Sequence, residues 1–348
     1  MNALLSRPPT GRGPWCPALA ALPLAGCATP PEADLSSLVE EVPWDELGDA
    51  FDPEDVDAYL TLPERMPEVT RPVDPDALRA LLLEQYDYEG PLRDTPSPDA
   101  LSDVIRSAVH AGPLLDRLDT EPLLWAEAPA GDLARDVGWD PVERVVLQDE
   151  AVGRFEVVLL LPEGEGPFPA VVLAHGHQED ATSFLVNRFG WELAEAGFVV
   201  AAPTLRANDA EDIESAVSWR LLEAGATFMG VRVYEHLLVA KLLAARPEVE
   251  GPVGLVGHSG GAVTANLTAR LRHPDDGGVD ALVSDFTSPY LSVDWELDRI
   301  FDDTAPDLFD WSNAVADLDA AWQPALALDY GFPEGVDSII DFLDATLR

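Results

Sequence analysis

From residue 141 onward, short apolar runs alternate with longer amphipathic stretches, which indicates strands alternating with helices. Two runs, 142–147 and 155–161, are separated by turn-forming residues at 149–153, which predicts an antiparallel pair at the edge of a sheet. The later runs are apolar throughout, as in strands buried on both faces. We therefore expect an α/β fold, with a mostly parallel central sheet covered by helices on both faces. The later predicted strands are 170–174, 198–202, 253–256, 281–284 and 325–328, and the predicted helices are 183–196, 213–245, 259–272 and one closing the chain from 336.

The chain before residue 141 has a different pattern. Residues 28–140 are acidic and interrupted by prolines, and the apolar spacing of three and four that is typical of helices occurs at 77–83 and 101–118. The acidic stretch 32–54 is expected to be extended or disordered. We predict an acidic, proline-rich tether and helical segment over 27–140 and an α/β domain over 141–348, with an insertion at 286–323.

The N-terminal segment has the layout of an export signal. Residues 1–26 contain two arginines, no acidic side chain and then an apolar run, 18–24, that is too short to span a bilayer. The run ends in Leu-Ala-Gly followed by Cys27, which resembles the bacterial lipoprotein signal. This resemblance implies cleavage before Cys27, lipidation of its thiol, and a protein exported across the inner membrane and lipid-anchored in the cell envelope, on the outer membrane.

The net charge of the chain excludes some classes of binding partner. The chain has 64 acidic and 21 basic residues, for a net charge of −43, which repels nucleic acids and anionic membrane surfaces. We interpret the excess as a solvated acidic surface. No group of histidines and carboxylates has the spacing typical of a metal site, so neither a metal nor another cofactor is expected.

The motif that carries chemistry is G-H-S-G-G at 257–261, which follows an apolar run and opens a predicted helix. A G-x-S-x-G sequence in that context is typical of a serine on a sharp, strained turn, which requires small neighbours. The helix N-terminus beside the Ser259 hydroxyl favours negative charge that develops there. A second motif, His-Gly-His at 175–177, follows the predicted strand 170–174 in the same way.

With these two motifs, the chain from residue 142 to its end resembles the α/β-hydrolases, in particular bacterial acetyl-esterase and dienelactone-hydrolase-like members. The resemblance implies that Ser259 is the nucleophile and that the backbone N–H groups of His177 and Gly260 form an oxyanion hole, worth on the order of several kcal/mol of barrier reduction. Family members place an acid and then a histidine after the nucleophile. Asp285 and Asp329, which end predicted strands, stand where the family places its acid.

The chain departs from the family at the histidine. After Ser259 the sequence has only His273, fourteen residues along the same predicted helix, which corresponds to roughly 21 Å and is out of reach. His177 is the best candidate for the base because its loop must pass close to Ser259, and His110 is the next candidate if its segment lies over the site. The remaining histidines are expected to have other positions: His175 under the loop, His258 pointing away from the substrate and His236 on a helix surface.

Two functions from different classes stay open. The first is a serine hydrolase that cleaves a small-molecule carboxylic ester with a small acyl group. The alternative is a catalytically inactive, hydrolase-fold lipoprotein that binds a ligand or partner. A truncated reading frame would also explain the missing histidine, and the downstream DNA would test it. The aromatic residues of the insertion 286–323 suit either a lid over the site or packing against the sheet edge.

Overall fold

The computed structural model describes residues 38–47, 106, 112–176, 179–205, 217, 221, 226–271, 278–285 and 336–348, together with the backbone of 325–327. Several features of the sequence analysis lie outside the described residues: the signal with Cys27, the insertion 286–323, and the candidate residues His110, His177 and Asp329.

The described residues form one nine-stranded sheet. The strands are β1 (Val39–Glu41), β2 (Leu123–Ala128), β3 (Val142–Asp149), β4 (Gly153–Leu160), β5 (Phe168–Ala174), β6 (Val199–Pro203), β7 (Val249–Gly257), β8 (Ala281–Ser284) and β9 (Ala325–Ala327). They lie in the order β1-β2-β3-β4-β6-β5-β7-β8-β9. Every neighbouring pair from β6 to β9 is parallel, whereas β3 and β4 pair with their neighbours in antiparallel fashion. The expectation of a mostly parallel sheet is confirmed.

Helices cover the sheet on both faces, as expected. The strand side chains alternate between two cores, so that Val172 of β5 packs with one helical layer and Val171 with the other. The first layer contains α2 (Gly112–Leu118), α6 (Phe228–Ala245) and α7 (Gly260–Leu271), and the second contains α3 (Leu133–Val137), α4 (Ala181–Asn187), α5 (Gly190–Glu195) and α8 (Asp337–Leu347); α1 (Trp44–Leu47) packs on β2. Among the described residues no helix is long and apolar enough to cross a membrane.

The sheet begins earlier in the chain than the sequence pattern indicates. β1 lies in the stretch expected to be extended or disordered, and β2 pairs with β3, so the predicted β3–β4 pair is inside the sheet and not at its edge. β2 escaped prediction because its apolar residues do not alternate: both Leu124 and Trp125 are half-buried. The predicted helix 183–196 is two helices, α4 and α5, separated at Arg188 and Phe189.

Helix α6 is enclosed on all sides. Every residue from Phe228 to Leu243 is buried, so the prediction that His236 lies on a helix surface is wrong. Its Nδ1 lies 3.3 Å from the hydroxyl of Thr268 on α7, and burial lowers its pKa to about 3. The buried Lys241 of the same helix donates to the carbonyl oxygens of Leu118 and Glu121 and so ties the end of α2 to α6.

Candidate active site

Ser259 occupies the sharp turn between β7 and α7. Its φ of 51° is in the left-handed region, and no other non-glycine residue among those described has a positive φ. Such a conformation costs on the order of 1–3 kcal/mol and persists where the surroundings enforce it. The carbonyl oxygen of Ser259 accepts hydrogen bonds from Ala262 N (2.9 Å) and Val263 N (3.2 Å), so the turn leads directly into the helix.

Two glycines of the motif allow the turn because backbone lies where a side chain would be. A Cβ on Gly261 would lie 2.1 Å from the carbonyl oxygen of Ala174, at the end of β5. A Cβ on Gly257 would lie 2.4 Å from the carbonyl oxygen of Gly261 itself. The first turn of α7 is therefore packed against the end of β5 with no room for a methyl group at either position.

The loop that leaves β5 lies against the serine. β5 and β7 are adjacent and parallel, with Ala174 opposite Gly257, and His258 N donates to Ala174 O at 3.0 Å. A Cβ on Gly176 would lie 3.0 Å from Ser259 Cβ, so the Gly176 backbone is in contact with the nucleophile candidate. In one large fold class, a serine on a strained turn between a strand and a helix lies beside the loop of the adjacent strand. This turn is known as a nucleophile elbow.

The fold is that of the α/β-hydrolases. In this fold the oxyanion donors are backbone N–H groups of the elbow and of the loop beside it. Gly176 N is engaged, because it donates to the carboxylate of Glu179 at 3.1 Å. Gly260 is the first residue of α7, so no carbonyl within the helix accepts its N–H, which suits it as a donor. The other predicted donor, His177, lies outside the described residues.

The buried His175 ring supports the loop that follows β5. Its ring is fully buried, with Nδ1 donating to Gly176 O at 3.0 Å and Nε2 accepting from Leu205 N at 2.9 Å. These partners fix the neutral tautomer that carries its proton on Nδ1. Burial lowers the pKa of His175 to about 4, which keeps the ring neutral at ordinary pH. His175 therefore orders the loop, as the sequence indicated.

Asp285 follows β8 and is bonded to the elbow. The residue is fully buried; one carboxylate oxygen accepts from Ser259 N at 3.0 Å, and the other contacts His258 Nδ1 in a short hydrogen bond. Asp285 N also donates to Gly257 O at 3.3 Å. Both oxygens of the acid candidate therefore hold the turn that presents Ser259, and its role as the acid of a catalytic triad stays a prediction.

His258 contacts the helical layer that contains α4. Its Nδ1 donates to Asp285, and its Nε2 accepts from the Arg188 guanidinium at 2.7 Å. The ring of Phe184 stacks on it, with centroids 6.1 Å apart and planes 22° apart. Because both ring nitrogens are engaged, His258 is not placed to take a proton from Ser259.

Arg188 and Glu179 are site residues that the sequence analysis missed. Arg188 donates to one Glu179 oxygen through Nε (3.1 Å) and Nη2 (2.8 Å), and the other Glu179 oxygen accepts from Gly176 N. The sequence pattern predicted one unbroken helix over 183–196, so it gave no signal for Arg188, which caps α4 where that helix ends. Among the described residues, no group of three or more histidine, cysteine or carboxylate side chains could hold a metal ion.

Comparison with solved structures returns esterases and related hydrolases. The acetyl xylan esterase from Paenibacillus sp. R4 is 13% identical over 82% of this chain and 99% of its own, with a TM-score of 0.46. Acetyl xylan esterase 1 from Thermoanaerobacterium sp. JW/SL YS485 is 13% identical over 78% of this chain and 99% of its own, with a TM-score of 0.41. Dienelactone hydrolase from Anabaena variabilis ATCC 29413 is 19% identical over 56% of this chain and 93% of its own, with a TM-score of 0.37. No protein-family model matches the sequence, and no curated protein does.

Proposed function

We propose that this protein is a serine hydrolase that cleaves carboxylic esters of a small acyl group, with Ser259 as its nucleophile. One observation carries the proposal: Ser259 is held at a φ of 51° at the N-terminus of α7, with the Gly176 backbone packed against it. The strained turn is maintained by positions where only glycine fits and by the buried Asp285 carboxylate, which accepts a hydrogen bond from Ser259 N. A serine kept in this way is typical of an exposed nucleophile.

In the proposed reaction Ser259 Oγ attacks the ester carbonyl carbon while a general base takes the hydroxyl proton. The negative charge that develops on the carbonyl oxygen is stabilised by the N–H groups of His177 and Gly260 and by the N-terminus of α7. Collapse of the tetrahedral intermediate breaks the bond to the alcohol, which leaves with the proton. Water then attacks the acyl-serine, releases the carboxylic acid and restores Ser259.

The geometry narrows the choice of base. His258 has both ring nitrogens engaged by Asp285 and Arg188, and His175 has both engaged by Gly176 and Leu205. His236 is enclosed in the core beside α7. We therefore propose His177 as the base, with His110 as the next candidate and Asp329 as a carboxylate that could orient the base.

The alternative function, a binding lipoprotein with the same fold and no catalysis, also has a specific observation in its favour. The buried carboxylate at the end of β8 is bonded to the elbow's own histidine. After Ser259 the sequence has only His273, which lies outside the described residues and which the helix pattern predicts to be out of reach of the serine. For either function we propose that Cys27 is lipidated and anchors the protein in a bacterial cell envelope.

A fluorophosphonate probe and p-nitrophenyl acetate test the proposal together. Wild type should react covalently with the probe at Ser259 and hydrolyse the ester, and both activities should be lost in Ser259→Ala. His177→Ala should lower turnover by roughly 10²-fold or more, on the scale of general base catalysis. Because the backbone donor survives that substitution, the loss would be due to the ring.

The other outcomes separate the alternatives. Full activity in His177→Ala with loss in Ser259→Ala would place the base elsewhere, and His110→Ala becomes the next variant. If wild type is not labelled and its turnover equals that of Ser259→Ala, the hydrolase proposal is wrong and the binding function stands.

A further inference from the structure

A continuous chain of hydrogen bonds connects the elbow to the loop after β5. It begins at Ser259 N, which donates to Asp285, and passes through the carboxylate to His258. The far side of the His258 ring accepts from Arg188, and Arg188 donates to Glu179. The chain ends at Gly176 N, which donates to the other oxygen of Glu179. We name these four side chains, Asp285, His258, Arg188 and Glu179, the elbow–loop chain.

The elbow–loop chain is mostly shielded from water. The Asp285 side chain is 0% exposed, His258 9%, Glu179 19% and Arg188 31%. Hydrogen bonds to charged groups are stronger and more directional in such surroundings than at an open surface. The ring of Phe184 stacks on that of His258.

The chain fixes the loop at its point of contact with the nucleophile. Glu179 accepts from Gly176 N, while Gly176 O accepts from His175 Nδ1 at 3.0 Å and from Glu179 N at 3.4 Å. Both backbone groups of Gly176 are thus held, and Gly176 is the residue that lies against Ser259 Cβ.

We infer that Arg188, together with Glu179, is a positioning residue that sets the oxyanion-binding loop against the Ser259 elbow. The guanidinium joins the two halves, because it lies between His258 Nε2 and the Glu179 carboxylate, whose nearest atoms are 3.9 Å apart. Without the cation, two hydrogen-bond acceptors face each other and the loop loses its side-chain connection to the elbow. This inference rests on the proposed hydrolase function and names residues that act on the transition state through the loop.

The decisive variant is Arg188→Met, which keeps an unbranched apolar stem and removes the guanidinium with its charge and its donors. Arg144→Met is its matched control, because Arg144 is 30% exposed and ion-paired with Glu156 on β3 and β4, and neither side chain belongs to the elbow–loop chain. Since the loop donors act on the developing oxyanion, Arg188→Met should lower kcat for p-nitrophenyl acetate by about 10- to 100-fold. KM should stay within about twofold.

Two further measurements make the result specific to positioning. Arg188→Lys restores a cation without the planar fork and should recover part of the lost kcat. Amide hydrogen exchange at Gly176 should become at least about tenfold faster in Arg188→Met and stay unchanged in Arg144→Met. Should Arg188→Met not fold, Glu179→Gln takes its place with the same expected changes, because it removes the charge that Arg188 binds.

The outcomes keep the inference and the proposed function apart. Wild-type kcat in a folded Arg188→Met, an equal loss in Arg144→Met, or a change confined to KM would overturn the inference. If wild type has neither turnover nor fluorophosphonate label, the proposed hydrolase function is wrong. Amide exchange at Gly176 then tests only whether Arg188 holds the loop against the elbow. Unchanged exchange at Gly176 in Arg188→Met would show that the chain does not hold the loop.

Discussion

Gly261→Ala tests whether the elbow depends on the close approach of α7 to β5. The new Cβ would lie 2.1 Å from Ala174 O and 2.5 Å from His175 O, whereas ordinary contact begins at 3.4 Å. The two segments would have to separate by roughly 1 Å or more, and both obstacles are backbone atoms that cannot rotate away. Overpacking of this kind costs about 3 kcal/mol, the upper end of its usual range.

The better helix propensity of alanine offsets about 1 kcal/mol of this cost, which leaves a net loss of about 2 kcal/mol. For a domain of this size that loss lowers Tm by about 4–8 °C. Urea and thermal unfolding followed by circular dichroism measure it. Gly112→Ala is the control, because a Cβ there meets its nearest atom, Arg106 Nε, at an ordinary 3.5 Å. If Gly261→Ala unfolds at the same midpoint as Gly112→Ala, the close approach does not determine the turn.

The other two predictions concern pH and the lipid anchor. Burial lowers the pKa of His175 to about 4 from the usual 6.5, so the unfolded chain binds a proton between these values that the folded chain does not. Its contribution to the free energy of unfolding is complete above pH 6.5 and falls by on the order of 3 kcal/mol as the pH drops to 4. The free energy of urea unfolding from pH 4 to 7 should therefore depend less on pH in His175→Gln than in wild type. An equal pH dependence in the two proteins would contradict the assignment. Expression in a bacterium with labelled palmitate should give a labelled wild type and an unlabelled Cys27→Ala, whereas an unlabelled wild type that still begins at Met1 would exclude lipidation.

The central part of the fold could be predicted because its strands bury both faces. Runs such as the one at β5 have apolar residues at consecutive positions, which few other structures allow, and the same holds for β7 and β8. β1 and β2 could not be predicted, since short strands near an edge mix half-buried and exposed residues. His236 was misplaced for a related reason, because in a helix buried all round polar positions no longer mark the solvent side.

At the candidate site, the local motifs could be predicted from the sequence, whereas the partners from distant parts of the chain could not. The G-x-S-x-G spacing reflects requirements within five residues, namely a turn and glycines that backbone atoms touch. The contact between His258 and Asp285 instead follows from the register of β7 and β8, which pairs Gly257 with Ser284 and sets the next residues side by side. Arg188 and Glu179 join the site through a helix break and a loop, and no spacing in the sequence records either contact.

The position of Asp285 changes how the missing histidine is understood. A carboxylate that orients a catalytic histidine needs an oxygen directed at that histidine, and the histidine needs a nitrogen directed at the serine. One oxygen of Asp285 binds Ser259 N, and the other binds His258, whose remaining nitrogen accepts from Arg188. Asp285 therefore acts on Ser259 through the backbone, by holding the strained turn. Its role as the acid of a triad stays a prediction, and an active enzyme is expected to take its base from the loop after β5, with Asp285 or Asp329 to orient it.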